Sequence, residues 1–142
     1  MYKIAKGDDK FIEITKIEPA FIDERGSIWD FLTNDKINHV GFFTSKKKSI
    51  RGQHYHKEQK QYTLVLRGQV SITTKNLLDE NAKIEKFELS EMEMVLFPPY
   101  CYHSIEALED SECLVLTSKS RQGLRYEEDT IRVKNIENFV LE

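Results

Sequence analysis

The sequence predicts an all-β fold in a single domain, a sandwich or barrel of short strands, and three observations carry that expectation. Short apolar runs, several with period-two alternation, recur from Phe11 to Ser118. Turn-favouring stretches (DERG, NDKIN, LRG, LLDENA, FPPY and LEDSE) separate them. No stretch of helical length keeps apolar residues at i, i+3, i+4 and i+7 with caps at both ends. The 142 residues suit one domain spanning 1–142 with a single core.

The elements follow in order. FIEITKI (Phe11 to Ile17) alternates apolar and polar side chains, as a strand with one wet face does. SIWDFLT (Ser27 to Thr33) follows the DERG turn, and HVGFFTS (His39 to Ser45) follows NDKIN. QHYH, QYTLVL and QVSITT come next, the last two joined by the LRG turn. KIEKFEL, EMVLF, HSIEAL and ECLVLTS complete the set. The tail, RQGLRYEEDTIRVKNIENFVLE, is charge-rich and is expected to pack over the outside or to close a cavity mouth. There is no internal repeat, low-complexity tract or linker.

Composition narrows the function classes. Hydrophobic residues are 39% and charged residues 32%, ordinary values for a globular domain. A net charge of −3 argues against a general nucleic-acid surface, while local basic clusters remain free to hold a small anion. Two cysteines, Cys101 and Cys113, make no disulfide framework and read as small core residues. The first residues hold no apolar segment of signal-peptide length, and no apolar run reaches membrane-spanning length. A cytoplasmic protein without a membrane partner is expected.

The chemistry concentrates in RGQHYHKEQKQYTLVLRGQV (Arg51 to Val70). Side chains at i and i+2 of a strand share a face, so His54 and His56 project together. Gln61 follows five residues after His56, and Gly68 ends the next strand. A third histidine, His103, stands in PPYCYH at the start of a later strand. His39, alone beside a strand, reads as a surface or satisfied residue. Two roles remain open for His54 and His56: ligands of a divalent metal, together with His103 and Gln61, or a proton-transfer pair.

The arrangement R-G-x-H-x-H, four residues, Gln, six residues, Gly resembles the first motif of the cupin superfamily. Pro98 followed five residues later by His103 resembles the second, with Met92 and Tyr100 where that motif has glycines. The resemblance implies a jelly roll, a double-stranded β-helix. A cupin metal site would place an acidic ligand where Gln61 stands; Glu58 would share the face of His56 only if the strand stays regular. The same stretch is similar to the sugar 3,4-ketoisomerases acting on dTDP-4-keto-6-deoxyglucose. It is similar more distantly to the dTDP-4-dehydrorhamnose 3,5-epimerases. DERGSIWDF near the start and Tyr126 to Arg132 near the end resemble the corresponding ketoisomerase segments. The epimerases carry HxQ and a lysine where this chain has His56 and Thr63.

The resemblance implies isomerisation of a dTDP-linked keto sugar without metal or organic cofactor. His54 and His56 would be the acid/base pair, with Gln61 and Tyr102 as catalytic partners for an enolate oxygen. Arg51 and Arg25 would hold the diphosphate, and His103, Tyr100 and Tyr126 would line the sugar site. Arg25 also reads as a solvated turn residue. Lys46, Lys47 and Lys48 read as a solvated loop, and Trp29, Phe42 and Phe43 as core or dimer interface. Strand edges in a small jelly roll are expected to be covered in a homodimer.

Overall fold

A computed structural model describes residues 2–3, 11–120 and 124–141. Two antiparallel sheets face each other across an apolar core. The first contains β1 (Tyr2–Lys3), β2 (Glu13–Lys16), β10 (Glu93–Phe97), β7 (Gln61–Arg67), β12 (Ser111–Thr117) and β5 (His39–Ser45), hydrogen-bonded in that order. The second contains β13 (Thr130–Arg132), β6 (Ile50–His56), β11 (Cys101–Ala107), β8 (Val70–Asn76) and β9 (Glu85–Leu89). A small hairpin, β3 (Phe21–Asp23) with β4 (Gly26–Ile28), pairs only with itself. This is the sandwich that the strand pattern predicts, in the jelly-roll form that the cupin resemblance implies.

Alternation fills the interior. Val65, Val95 and Cys113 from the first sheet meet Val70, Ile72, Leu89, Cys101 and Ile105 from the second, all buried. Each side chain of this size contributes roughly 1.5–3 kcal/mol on leaving water. Both cysteines are free thiols in this core, and burial pushes the Cys113 thiol up to about 12. Outside the second sheet, Val133, Ile136, Phe139 and Leu141 of the tail cover Tyr55, Leu77 and Tyr102. The tail therefore packs over the outer surface of a sheet, one of the two placements expected for it.

Two local features differ from the expected pattern. Strand β4 ends at Ile28, so Trp29 to Thr33 is not strand. Phe31 and Leu32 instead pack against Ile17, Leu64 and Met94 on the outer face of the first sheet. The tail contains a six-residue helix, α1 (Leu124–Asp129), and a 3-10 turn at Ile136–Asn138. Neither is long enough to show a 3.6-residue period. Trp29 and Phe42 lie outside the protomer core, whereas Phe43 packs against it. No helix among the described residues is long and apolar enough to cross a membrane.

Candidate functional site

The site forms where β6 and β11 run side by side. His54 and His103 are direct cross-strand partners. Just before that pair the register shifts: Ser104 opposes Gly52 and Ile105 opposes Arg51, so Gln53 is an extra residue. Gln53 takes φ 57 and Gly52 φ 88, left-handed values that re-aim the strand. The bulge matters for chemistry. In an unbroken strand Arg51 and His54, three apart, would face opposite ways. With Gln53 extruded, both face the interior.

Gly52 also lets the strands approach. A Cβ there would sit 2.8 Å from the His103 carbonyl oxygen, closer than real Cβ contacts allow. The glycine thus fixes both the turn of β6 and its distance from β11.

Three imidazoles converge as a result. Ring centroids of His54 and His103 are 4.7 Å apart, His54 and His56 4.8 Å, and His56 and His103 5.5 Å. One nitrogen from each lies within 4.8 Å of the others. His103 is held on two sides: its ring stacks on Phe97 at 4.3 Å and 3°, and its Nδ1 meets the Cys101 carbonyl at 3.1 Å. A carbonyl oxygen only accepts, so Nδ1 carries the proton and Nε2 presents its lone pair. That Nε2 is buried and has no hydrogen-bond partner among the described residues. Burial, reinforced by the neighbouring His54 and His56, holds His103 well below the ordinary histidine range.

His56 is anchored from the C-terminal segment. Strand β13 pairs with β6 so that Thr130 opposes His56 and Arg132 opposes His54. The His56 Nδ1 is 3.1 Å from the Thr130 hydroxyl and 3.8 Å from an Asp129 carboxylate oxygen. Asp129 is itself fixed by accepting from the backbone N–H groups of Glu58 and Gln59. The carboxylate and the Thr130 hydroxyl together fix the orientation of the His56 ring.

A cavity of about 500 Å³ opens onto this cluster. His54, His103, Gln61, Phe43, Val115 and Arg51 are among its walls, with Arg132 and Glu127. The Arg51 guanidinium donates to the Ser45 hydroxyl at 2.8 Å and the Thr44 carbonyl at 2.7 Å. It also lies 5.5 Å from the centre of the Phe43 ring. The Gln61 amide donates one N–H to the Thr63 hydroxyl, which leaves its second N–H and its carbonyl oxygen for another partner. A second cavity, about 560 Å³, is lined by Lys57, Glu58, Tyr100, Lys119, Glu128 and Asp129 and contains none of the imidazoles.

The candidates drawn from sequence therefore divide. His54, His56 and His103 come together, with Gln61 and Arg51 around them. Tyr102 does not join them: one residue from His103 on β11, it faces outward and is buried against Tyr55, Leu77 and Val133. Tyr100 faces the second cavity, with its ring 5.7 Å from Tyr55. Arg25 is exposed on the β3–β4 hairpin and forms an ion pair with Asp23 at 2.6 Å, the solvated-turn alternative. Tyr126 belongs to α1, but its side chain lies outside the described residues. Sequence reasoning missed Asp129, Thr130 and Arg132 as site residues. Their signal was the EEDTIR stretch, used only as a mark of resemblance. His39, read from sequence as a surface or satisfied residue, is half-buried on the inward face of β5.

The same imidazoles test a cupin metal centre. Three buried or half-buried nitrogens, one of them the unpartnered Nε2 of His103, suit a divalent ion that prefers imidazole. The residues fit; such an ion would supply a Lewis acid for a substrate oxygen.

Known proteins bear out the architecture. A variant of the sugar 3,4-ketoisomerase QdtA from Thermoanaerobacterium thermosaccharolyticum, solved in complex with TDP, is 27% identical. Its alignment covers 92% of this chain and 91% of that one, with a TM-score of 0.70. The dTDP-4-dehydrorhamnose 3,5-epimerase from Sulfolobus tokodaii is 22% identical over 92% of this chain and 81% of its own, with a TM-score of 0.72. The RmlC epimerase of Mycobacterium tuberculosis is 17% identical over 92% and 72%, at 0.74. No curated protein matches the sequence. The family model described as the polysaccharide biosynthesis C-terminal domain matches residues 21–131, and the chain belongs to that family.

Proposed function

We propose that the protein is an enzyme of nucleotide-sugar metabolism that moves the ketone of a dTDP-linked 4-keto-6-deoxyhexose from C4 to C3. The observation that carries this reading is the cluster of three imidazoles at the wall of a cavity that also holds Arg51 and Arg132. Likeness to a ketoisomerase that binds TDP supports it.

The C3 hydrogen of a 4-keto sugar is acidic because the carbanion delocalises onto the ketone oxygen. His54, or the free Nε2 of His103, takes that proton and leaves an enediolate. Transfer of the O3 proton to O4, and a proton returned to C4 from the imidazole pair, complete a 3-keto sugar with a hydroxyl at C4. Bonds and electrons balance without an external oxidant. His56, backed by Asp129 and Thr130, is suited to hold the transferred proton. The second N–H of the Gln61 amide, the first being donated to Thr63, is the replacement for the oxyanion donor that Tyr102 does not supply. Arg51 and Arg132 attract the diphosphate.

The exposed side chains of Val40 and Phe42, with Phe21, Ile22 and Ile28 on the hairpin, form an apolar set suited to burial against a second copy. A homodimer is part of this reading.

Incubation with dTDP-4-keto-6-deoxyglucose in heavy water tests the reaction. The expected result is one carbon-bound deuterium at C4 and a 3-keto product by NMR. Deuterium at C3 or C5 with the ketone still at C4 would make it an epimerase. Failure to exchange with any 4-keto nucleotide sugar would sink the reading. A metal-centred cupin is the second reading, favoured by the convergence of His54, His56 and His103. One equivalent of transition metal in the purified protein, lost on His103→Ala, would establish it.

A further inference from the structure

We propose that His39 is a specificity-determining residue that hydrogen-bonds the sugar of the substrate from the wall opposite the imidazole cluster. The proposal rests on the nucleotide-sugar reading above and adds a residue that reading does not use.

The placement comes from register. Thr117 on β12 is paired on one side with His39 of β5 and on the other with Gln61 of β7, and Gln61 is paired with Phe97 of β10. Directly opposed residues share a face, so Phe97, Gln61, Thr117 and His39 form one inward row across the sheet. That row sits at the level of the reacting groups, because Phe97 is the ring on which His103 stacks and Gln61 lines the His54 cavity. Two strand spacings, roughly 10 Å, separate His39 from Gln61, about the span a hexose and its hydroxyls bridge. Arg51 packs on Phe43, four residues further along β5 and roughly 13 Å away. An anion at Arg51 therefore leaves His39 at the sugar end.

Gly41 makes the contact available. It is the inward residue between His39 and Phe43. A Cβ there would lie 3.0 Å from Val115 Cγ1 and 3.2 Å from His39 Nε2. With hydrogen alone at that position, the imidazole lies along the strand beside Val115, itself a wall of the cavity. The rest of the row has little polar capacity to offer. The Thr117 hydroxyl is spent on the Lys119 carbonyl, and Gln61 gives one amide N–H to Thr63 and has the other assigned to the enolate oxygen. His39 makes no side-chain hydrogen bond among the described residues, so its nitrogens are available to a ligand, one as donor and one as acceptor.

The test compares His39→Ala, His39→Gln and the wild type in turnover of dTDP-4-keto-6-deoxyglucose and in calorimetric binding of TDP. Expected for His39→Ala is a KM raised about tenfold, the loss of one substrate hydrogen bond. Its kcat should stay within threefold, its TDP affinity within twofold, and its melting temperature should be unchanged. His39→Gln, which keeps a donor and an acceptor, should recover part of the KM. An unchanged KM overturns the proposal, and an equal loss of TDP affinity overturns the assignment to the sugar. A wild type that neither binds TDP nor turns over the sugar overturns the nucleotide-sugar reading and this proposal with it. A wild type that does both, with indifferent His39 variants, overturns this proposal alone.

Discussion

Replacing Gly52 by alanine probes the link between backbone and site most directly. Two costs add. The residue sits at φ 88, where an L side chain costs roughly 1–2 kcal/mol. The new Cβ would also lie 2.8 Å from the His103 carbonyl oxygen, a backbone atom that cannot rotate away. Relieving that overlap forces β6 and β11 apart by a few tenths of an ångström, comparable to overpacking a core at about 1–3 kcal/mol. The sum is about 3 kcal/mol, or about 6–12 °C in Tm for a chain of this length. Gly26→Ala is the control: its φ of 138 is also unusual, but no atom lies within 4 Å of the added Cβ. It should cost only the backbone part. Urea unfolding of both variants gives the two free energies, and TDP binding reports whether the site has opened. A Gly52→Ala protein as stable as Gly26→Ala would refute the close-approach argument.

Other expectations follow from the site. His103, held low by burial, binds fewer protons folded than unfolded below its ordinary pKa of about 6.5. Stability should therefore fall as pH drops below about 6.5, by up to about 1.4 kcal/mol per pH unit, and denaturant titrations should show this component missing in His103→Leu. Asp129→Asn leaves two backbone N–H groups with a weaker acceptor and removes the negative charge beside His56. It should cost about 1–3 kcal/mol by thermal melting and lower kcat more than it raises KM. Arg51→Ala should weaken TDP binding about 10–100-fold by calorimetry, the worth of one charged hydrogen-bond pair. Val40 and Phe42 are 63% and 56% exposed on the edge strand; by the proposed homodimer, the wild type should sediment as a dimer and the double variant Val40→Asp, Phe42→Asp as a monomer.

The all-β class, most of the strands and the meeting of His54 with His56 were legible because period-two alternation is written residue by residue. What alternation could not reveal was the bulge. Counting alone puts Arg51 and His54 on opposite faces, and only the register against β11 shows them together. Tyr102 failed for the complementary reason, since its place next to His103 in sequence guarantees that it points away. The glycine positions of the second cupin motif show how a signature can hide. Met92 and Tyr100 occupy them with φ 63 and 62, so the left-handed backbone is present without the residue that advertises it. The Asp129–Thr130–Arg132 contribution was obscured by distance, because 74 residues separate Thr130 from His56. No local pattern encodes such a pairing.

That last strand has a consequence for the chain during its synthesis. Residues 50–56 emerge long before residues 130–132, so β6 waits with one edge unpaired while about seventy further residues are made. At ordinary translation rates that interval is on the order of 4–15 s. Through it the nascent protein offers an open strand carrying two histidines, and only the arrival of Thr130 and Arg132 both seals the edge and completes the site. Competence for ligand and protection from edge-to-edge association are thus acquired in one late step.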